Sequence, residues 1–265
     1  MLVFLKLGGS LITDKNKPHT PRREVINRLA AEIASARRQN PALQWVLGHG
    51  SGSFGHVEGK KYATRSGVRG HEQWLGFAQV WSAARSLNQI VIESLTQAGL
   101  PVIAFPPSCC IVASDARIST WEIGPLRSAL ANGLSPLVYG DVVFDTVRGG
   151  TILSTEDLFS HLAHLLKPDR ILLAGSEQGV WADFPACTSL IEQITPATYR
   201  QMTGHIGDAI ATDVTGGMAQ KVKSMLDLVK SIPGLQVSIF SGEIPGLVFH
   251  ALSGSTPGTL LHGEM

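Results

Sequence analysis

The chain has 265 residues, of which 44% are hydrophobic and 16% are charged, and its formal net charge is +1. This composition is typical of a globular protein, and the length allows one large core or two modest lobes. The near-zero charge gives no electrostatic reason to expect a nucleic acid or a membrane surface as a partner, and no run approaches the roughly 18 apolar residues that span a bilayer. Three cysteines without a C-x-x-C pair predict neither a disulfide framework nor a zinc site, so we expect reduced thiols in a cytoplasmic protein.

Short apolar runs alternate with helical patterns from the first residues onward. The start of the chain carries no basic flank and no long hydrophobic region, so it is interpreted as a buried strand and not as a signal peptide. Strands are predicted at Leu2–Leu7, Gln44–Leu47, Val102–Phe105, Pro136–Tyr139, Arg170–Ala174 and Val237–Phe240. Helices are predicted at Arg23–Arg38, Glu72–Ala98, Glu122–Ala131, Glu156–Leu166 and Gly217–Ile232. The basic, glycine-spaced segment from Lys60 to Gly70 is expected to form a mobile loop.

Strands that are separated by helices predict the α/β class, with a mostly parallel sheet and helices on both of its faces. The chain shows no internal repeat and no low-complexity linker. We therefore predict a single domain with two lobes that divide near Lys167 and Pro168.

Three glycine-containing segments have the character of phosphate loops. They are Lys6–Ser10, Gly48–His56 and Asp213–Met218, the last of which leads to Lys221. Free backbone N–H groups and the positive end of a helix dipole both favour an anion where a strand ends and a helix begins. One such loop is usually just a turn, but three with a lysine or histidine nearby predict phosphate binding at the carboxyl edge of the sheet.

The spacing Gly50-x-Gly52-x-x-Gly55 also matches the fingerprint of dinucleotide-binding proteins, with Glu72 at a tolerable distance for a ribose contact. That interpretation requires a helix packed on the sheet after the third glycine, and the residues after Gly55 do not predict one. The motif also lies in the second strand–helix unit instead of the first, so we do not favour a dehydrogenase. The Walker A sequence and the protein kinase signatures are absent.

At these residues the chain resembles the amino acid kinase superfamily, which includes acetylglutamate, glutamate, aspartate and uridylate kinases. The resemblance covers nearly the whole chain and rests on Lys6-x-Gly8-Gly9-Ser10 and on Asp213-x-Thr215-Gly216-Gly217-Met218-x-x-Lys221. Within the superfamily, the chain is similar to the isopentenyl phosphate kinase family at Ile12–Lys15, His49–His56 and Tyr139–Val142. The ending Ser53-Phe54-Gly55-His56 is the specific part of that similarity.

The resemblance implies an open αβα sandwich, with an acceptor-binding lobe at about 1–167 and a nucleotide-binding lobe at about 168–265. It implies transfer of the γ-phosphoryl group of ATP to isopentenyl phosphate, which gives isopentenyl diphosphate, an isoprenoid precursor. It also implies Mg²⁺ and a homodimer.

Carried over by position, the resemblance implies three groups of site residues. The catalytic group is Lys6, Lys15, His56 and Lys221. The acceptor-binding group is Ser10, Gly50, Gly55, His56, Asp141 and Thr155. The nucleotide-binding group is Lys6, Gly8, Gly9, Ser10, Ser51, Gly175, Asp183, Gly217 and Lys221, and no residue is assigned to the metal.

Two positions depart from the family pattern. Ser51 stands where a further glycine is common, and it adds a side chain close to a phosphate. The carboxylate that organises the lysines usually sits in Ser-Gly-Asp, whereas this chain has Ser154-Thr155-Glu156-Asp157. Either Glu156 or Asp157 could serve.

A phosphate acceptor sets the chemistry that the site must perform. Its second pKa is about 6, so the acceptor is largely dianionic near neutrality and needs no catalytic base. The obstacle is the repulsion between two anions, which positioning and cationic side chains overcome. His56, immediately after the glycine nest, is expected to hold the acceptor phosphate. Asp141 could touch the substrate, organise a lysine or simply end a strand.

A stripe of apolar residues follows one face of the longest predicted helix. Trp74, Phe77, Ala78, Trp81 and Ala84 recur at three- and four-residue spacings, which is typical of a core face. If this helix walls the acceptor pocket, as the resemblance implies, part of the stripe would contact a short isoprenoid chain.

Two other functions stay open. A kinase of the same superfamily could act on an amino acid, a nucleoside monophosphate or a phosphonate, although the paired charges that an amino acid would need are not evident. A non-catalytic nucleotide sensor is disfavoured because the lysines expected for transfer are all present.

Overall fold

The structure is a computed structural model that describes residues 1–205 and 217–263, apart from the side chains at positions 56, 57, 60 and 203–205. Its main feature is an eight-stranded sheet. From one edge to the other the strands are β12 (Gln193–Ile194), β14 (Thr259–His262), β13 (Gln236–Ser241), β9 (Arg170–Gly175), β1 (Leu2–Leu7), β2 (Gln44–His49), β6 (Ser135–Tyr139) and β3 (Val102–Ala104).

The strands from β13 to β3 are parallel, while β14 runs antiparallel to β13. β1 occupies a central position, so that Lys6 aligns with Gly48 on one side and with Leu173 on the other. Parallel strands end at the same edge of a sheet, and the carboxyl ends of β1, β2, β6, β9 and β13 therefore meet. The predicted α/β fold is confirmed, and all six predicted strands are present within two residues at each end.

Helices cover both faces of this sheet. They are α1 (Gly9–Ile12), α2 (Arg23–Gln39), α3 (Gly52–Lys61), α4 (Gly70–Gln97), α5 (Pro107–Cys110), α6 (Gly124–Ala131), α7 (Thr155–Leu166), α8 (Pro196–His205), α9 (Gly217–Ser231) and α10 (Leu247–Leu252). The five predicted helices correspond to α2, α4, α6, α7 and α9. In the ranges 1–205 and 217–263, no helix is long and apolar enough to cross a membrane.

The core lies in two layers, one on each face of the main sheet. Phe4 and Val46 belong to one buried cluster, whereas Leu5 and Leu47 belong to the other. This alternation follows from the period of a strand, in which successive side chains point to opposite faces. Helices α7 and α9 complete the first cluster, and α2 and α4 complete the second.

The helix α3 contradicts the expectation that no helix follows the second glycine loop. Part of the segment Lys60–Gly70, which was expected to be a loop, is helical as well, because α3 reaches Lys61 and a 3₁₀ turn spans Thr64–Ser66. The local pattern of α3 has little amphipathic character, so the sequence did not reveal it. Its position depends on a long-range contact instead. The ring of Tyr62, the residue after α3, lies 2.2 Å from where a Cβ on Gly76 of α4 would be, so that α4 admits this ring only with a glycine at that position. The dehydrogenase interpretation is still disfavoured, because the Gly50-x-Gly52-x-x-Gly55 motif lies in the second strand–helix unit and not in the first.

A second sheet, which the sequence did not predict, stands beside the first. Its strands in spatial order are β5 (Arg117–Trp121), β4 (Ile111–Ser114), β7 (Asp141–Asp145) and β8 (Gly149–Leu153). The carboxylate of Asp145 closes its turns by accepting four backbone N–H groups at 2.7–3.1 Å, those of Asp115, Ala116, Val147 and Arg148. Because these groups come from two separate turns, a local pattern gives no signal for the sheet. A short hairpin, β10 (Val180–Trp181) with β11 (Leu190–Ile191), completes the strands of the described chain.

Candidate active site

The first two glycine loops are in direct backbone contact at the carboxyl edge of the main sheet. A Cβ on Gly9 would lie 2.4 Å from the backbone nitrogen of Gly52, and a Cβ on Gly50 would lie 2.7 Å from the nitrogen of Gly9. Gly52 also has φ +48°, a conformation that side chains rarely allow. Larger residues would push the loops apart, so the glycines are needed for this close approach.

Backbone hydrogen bonds hold both loops to the strands next to them. The N–H of Gly8 donates to the carbonyl of Ala174 at 2.7 Å, and the N–H of Gly50 donates to Leu7 at 3.0 Å. The N–H groups of Gly9, Ser10 and Ser51 have no acceptor within the described ranges. Such free donors at strand ends are suited to phosphate oxygens.

Lys6, which lies in β1 two residues before Gly8, forms an ion pair with Glu156. The Nζ of Lys6 contacts Oε1 of Glu156, and the two side chains are 11% and 20% exposed. Burial alone would raise the pKa of Glu156, but the charge and hydrogen bond of Lys6, together with the charge of Lys221, hold that pKa below its usual value. The charge of Lys221 of α9 therefore acts on Glu156 in the same direction as the charge of Lys6.

Asp157, the other candidate carboxylate, has a different task. It forms a capping box at the start of α7, where its Oδ2 accepts from the backbone N–H of Ser154 at 2.8 Å and from the Ser154 hydroxyl at 2.7 Å. Arg65 lies 3.7 Å from the same oxygen. The pattern Ser154-x-x-Asp157 is itself a capping signal, so the sequence alone favours Asp157 as the cap of α7.

Thr155 brings the start of α7 against the end of β2. Its hydroxyl donates to the carbonyl of His49 at 2.6 Å, and its methyl group lies 2.7 Å from where a Cβ on Gly48 would be. Glu156 is the next residue and is therefore carried to Lys6. Thr155 is buried and holds the start of α7 against β2. Its contact with the acceptor stays a prediction.

His49 is a structural residue that the sequence left without a clear role. It is fully buried, its ring stacks on Tyr139 with centroids 5.3 Å apart, and Nε2 lies 3.1 Å from Oδ1 of Asn88. Burial lowers the pKa of His49, which favours the neutral ring. The ring thereby connects β2, β6 and α4 at the edge where the loops begin.

Lys15 stands on an exposed loop, here called the Lys15 loop (residues 14–20), between α1 and α2. An isolated bridge pairs Thr13 with Pro21 at its base. The loop also touches the start of α3, because Thr20 N–H donates to the hydroxyl of Ser53 at 3.4 Å. The end of the Lys15 loop is therefore attached to the second glycine loop.

Asp141 is a buried acid at the start of β7. The residue is 1% exposed, its Oδ1 accepts from Val142 N–H at 2.8 Å, and its Oδ2 has no hydrogen-bond partner in the described part of the chain. Burial raises the pKa of Asp141 to about 7, against a smaller lowering by Val142 and by nearby Ser108. Near neutrality this carboxyl is therefore partly protonated.

Replacing Asp141 by asparagine is expected to change the pH dependence of stability. A carboxyl whose pKa is raised on folding favours the folded state less as pH rises from about 4 to 7, since the folded protein must then bury a charge. The asparagine side chain carries no such charge, so D141N should be more stable than the parent by about 2–4 kcal/mol at pH 8 and by almost nothing at pH 4. Urea unfolding at several pH values measures this difference.

The matched control is Asp145→Asn, which should have the opposite sign. Burial tends to raise the pKa of Asp145, but backbone N–H groups, that of Arg148 foremost, outweigh it and lower the pKa. Asp145→Asn should therefore lose stability at neutral pH. A D141N curve parallel to that of the parent would contradict the buried, partly protonated acid.

Only some of the remaining residues predicted to bind the nucleotide lie close to the first glycine loop. Ser10 lies 3.5 Å from Ser176, hydroxyl to hydroxyl, just beyond the end of β9. A Cβ on Gly175 would meet only the backbone nitrogen of Glu177, at the ordinary contact distance of 3.9 Å. Asp183 is half-buried, and its carboxylate closes a turn by accepting hydrogen bonds from Thr188 and Ser189. These hydrogen bonds, that of the Thr188 side chain foremost, lower the pKa of Asp183.

Gly217 is the first residue of α9. The predicted loop residues 213–216 before it and the side chain of His56 lie outside the described parts of the chain, and only the backbone of His56 is placed, in α3. Gly55 lies in the first turn of α3, where a Cβ would be 2.3 Å from the hydroxyl oxygen of Ser51.

Comparison with known proteins gives a consistent result. The profile of the amino acid kinase family matches residues 1–241. The chain is 33% identical over 230 residues to the isopentenyl phosphate kinase of Methanocaldococcus jannaschii, which covers 84% of this chain and 85% of that protein. It is 32% identical over 256 residues to the isopentenyl phosphate kinase of Methanothermobacter thermautotrophicus, covering 92% of each. A crystal structure of an isopentenyl phosphate kinase superposes with a TM-score of 0.83 at 30% identity, covering 98% of this chain and 100% of that one.

Proposed function

Because this chain belongs to the amino acid kinase family, we propose that it is an ATP-dependent phosphotransferase that converts isopentenyl phosphate to isopentenyl diphosphate. The observation that carries the proposal is the Lys6–Glu156 ion pair, on whose carboxylate the charge of Lys221 also acts, at the end of β1 where two glycine loops are in backbone contact. Cationic side chains and free backbone donors at one edge of a parallel sheet are suited to bringing two phosphates together.

The proposed mechanism needs positioning and charge neutralisation, and no base. The acceptor phosphate is held at the Gly50–His56 segment, and the nucleotide lies toward Gly8–Ser10 and α9. Glu156 holds the ammonium of Lys6 in place by direct contact. Lys6, Lys15 and Lys221 then offset the charge that spreads over the transferring phosphoryl oxygens, and the two reacting oxygens are kept in line.

We propose that Mg²⁺ enters with ATP. Among the residues that the structure describes, no group of three or more His, Cys, Asp or Glu side chains is arranged to hold a metal ion. Such a group is not required, because Mg²⁺ in kinases binds nucleotide phosphates and waters with one or two protein carboxylates at most. Glu156, which is paired with Lys6 at the end of β1, is the carboxylate that would face such an ion. Bound in this way, the ion supplies further neutralisation of phosphate charge.

The isoprenoid tail is proposed to lie between α4 and the second sheet. A small buried cluster occupies this place and consists of Val68, Phe77, Val80 and Val142, with Trp81 and Ile152 packed against it. In α3, a Cβ on Gly59 would lie 3.2 Å from Cδ1 of Ile152, so the helix that carries the phosphate segment also borders the cluster. Only part of the predicted apolar stripe of α4 lies in this cluster, since Ala78 is exposed and Trp74 is 37% exposed.

An assay of ATP consumption with a panel of acceptors tests the proposed reaction. We expect ADP release with isopentenyl phosphate and a product with the mass of isopentenyl diphosphate, and no turnover with the unphosphorylated alcohol. Dimethylallyl and geranyl phosphates report how long a tail is accepted. Turnover of an amino acid, a nucleoside monophosphate or a phosphonate in place of isopentenyl phosphate would overturn the proposal.

Replacing His56 by alanine is expected to raise the KM for isopentenyl phosphate about tenfold or more and to change the KM for ATP by less than about threefold. The reason is that His56 follows the glycine nest and is proposed to donate a hydrogen bond to the acceptor phosphate, an interaction with a charged group worth about 1.5–3 kcal/mol. Steady-state kinetics with each substrate varied in turn measure both constants. Equal increases in the two KM values would remove His56 from acceptor binding.

We also propose that the protein is a cytoplasmic homodimer, as its family resemblance implies. The second sheet supports a contact between copies, because Val112 and Phe144 are neighbours in register and are 41% and 52% exposed. Light scattering in solution measures the oligomeric state.

A further inference from the structure

Arg22 closes the base of the Lys15 loop. It lies between Pro21, at the end of the loop, and α2, and its backbone N–H donates to the carbonyl of Ile12 at 2.8 Å. Its guanidinium Nη1 donates to the carbonyl of Leu11 at 3.0 Å. Both acceptors belong to α1, on the other side of the loop, so Arg22 fixes the separation of the two loop ends.

The same guanidinium holds a segment that lies far away in the sequence. Nη2 of Arg22 donates to Oε2 of Glu243 at 3.0 Å, and Nη1 contacts the other carboxylate oxygen, which makes the pair bidentate. The hydrogen bond to Glu243, helped by its charge, raises the pKa of Arg22 against the effect of burial. A bidentate pair fixes direction as well as distance, which a lysine in this place would not do.

Glu243 belongs to the segment 242–246 after β13, and α2 fixes this segment at further points. Arg28 donates from Nη2 to the carbonyl of Gly242 at 2.6 Å, and the carboxylate of Glu32 accepts from Gly246 N–H at 3.0 Å and from Val248 N–H at 3.1 Å. The segment is therefore a rigid anchor for Arg22.

We propose that the Arg22–Glu243 pair is a positioning device for Lys15, which refines the proposed kinase function and rests on it. The Lys15 loop is exposed, and an ammonium at its tip has to stand at a fixed place between two phosphates. In-line transfer is sensitive to displacements of about 1 Å, so a loop with a loosened base should lose rate even though every catalytic group is still present. Neither Arg22 nor Glu243 is proposed to touch the substrates.

The test compares Glu243→Gln, Arg22→Ala and Arg22→Lys with the parent protein. We expect the first two variants to lower kcat about tenfold or more, with the KM values for ATP and isopentenyl phosphate changed less than about threefold. R22K keeps the charge and one hydrogen bond, so it should recover part of the loss. The double variant should be no slower than the worse single variant, because the two residues act through one contact.

A second measurement follows the loop itself. Trypsin can cleave after Lys15, and cleavage at exposed loops follows the ease of local opening. We expect E243Q to be cut there several times faster than the parent at an almost unchanged melting temperature. The control is Asp115→Asn, which breaks a surface pair with Arg148 of similar type (2.7 Å) far along the chain and should change neither kcat nor cleavage.

The outcomes separate this inference from the function on which it rests. If the parent protein does not phosphorylate isopentenyl phosphate, the proposed function fails, while the cleavage measurement still tests the loop. If the parent is active and E243Q keeps its kcat or its cleavage rate, the positioning role is wrong. A lower melting temperature with an unchanged kcat per folded molecule would likewise overturn it, because the pair would then serve stability alone.

Discussion

Replacing Lys15 by alanine is expected to lower kcat by at least about 100-fold, which corresponds to about 2.7 kcal/mol of transition-state stabilisation. Two phosphate groups repel each other, and charge spreads over the transferring oxygens as the reaction proceeds. A cation that meets this charge stabilises the transition state more than the ground state and therefore acts on kcat. Lys15 lies on an exposed loop that is fastened to the start of α3, so its loss should not disturb the fold. Single-turnover and steady-state kinetics measure the effect.

The same loop provides the control. Lys17 is also exposed, carries the same charge and lies two residues further on. If Lys15 acted only by adding positive potential to the region, Lys17→Ala should slow the enzyme to a similar degree. We expect K17A to keep at least about half of the parent rate. A near-parental rate for K15A would remove Lys15 from the mechanism.

Replacing Glu156 by glutamine is the second change with a large expected effect, again a loss of about 100-fold in kcat. The glutamine keeps the size of the side chain but removes the charge that holds the ammonium of Lys6 at the end of β1. Lys6 would then be drawn to the nearest phosphate in the ground state and would lose its transition-state geometry. Because the Lys6–Glu156 ion pair is half-buried, removing one partner costs more free energy than breaking an ion pair on the surface.

Asp157→Asn is the matched control, one residue along the same helix. Its carboxylate caps α7, so the variant should lose about 1 kcal/mol of stability and retain most of its kcat. Kinetics and urea unfolding on both variants give the comparison. The opposite ranking, with D157N inactive and E156Q active, would show that the lysines are organised by Asp157.

Local pattern was sufficient for much of the fold. The six predicted strands are mostly apolar, because strands of a parallel sheet are buried on both faces, and the helices between them show amphipathic spacing. The glycine loops were also visible, since glycine is required where two backbones approach as closely as Gly9 and Gly52 do. The second sheet and α3 were not visible, because contacts between distant residues stabilise them.

The sequence by itself determined the class of fold, the position of the phosphate loops and the family to which the chain belongs. It left open which carboxylate pairs with Lys6, because Glu156 and Asp157 are neighbours with the same chemistry. The tertiary structure decided this through the direction of each side chain: successive residues of a helix point about 100° apart, so Glu156 faces β1 while Asp157 turns back to cap its own helix. Only the tertiary structure revealed the contact between Arg22 and Glu243. Such a contact depends on where two distant segments meet and not on the residues around either one.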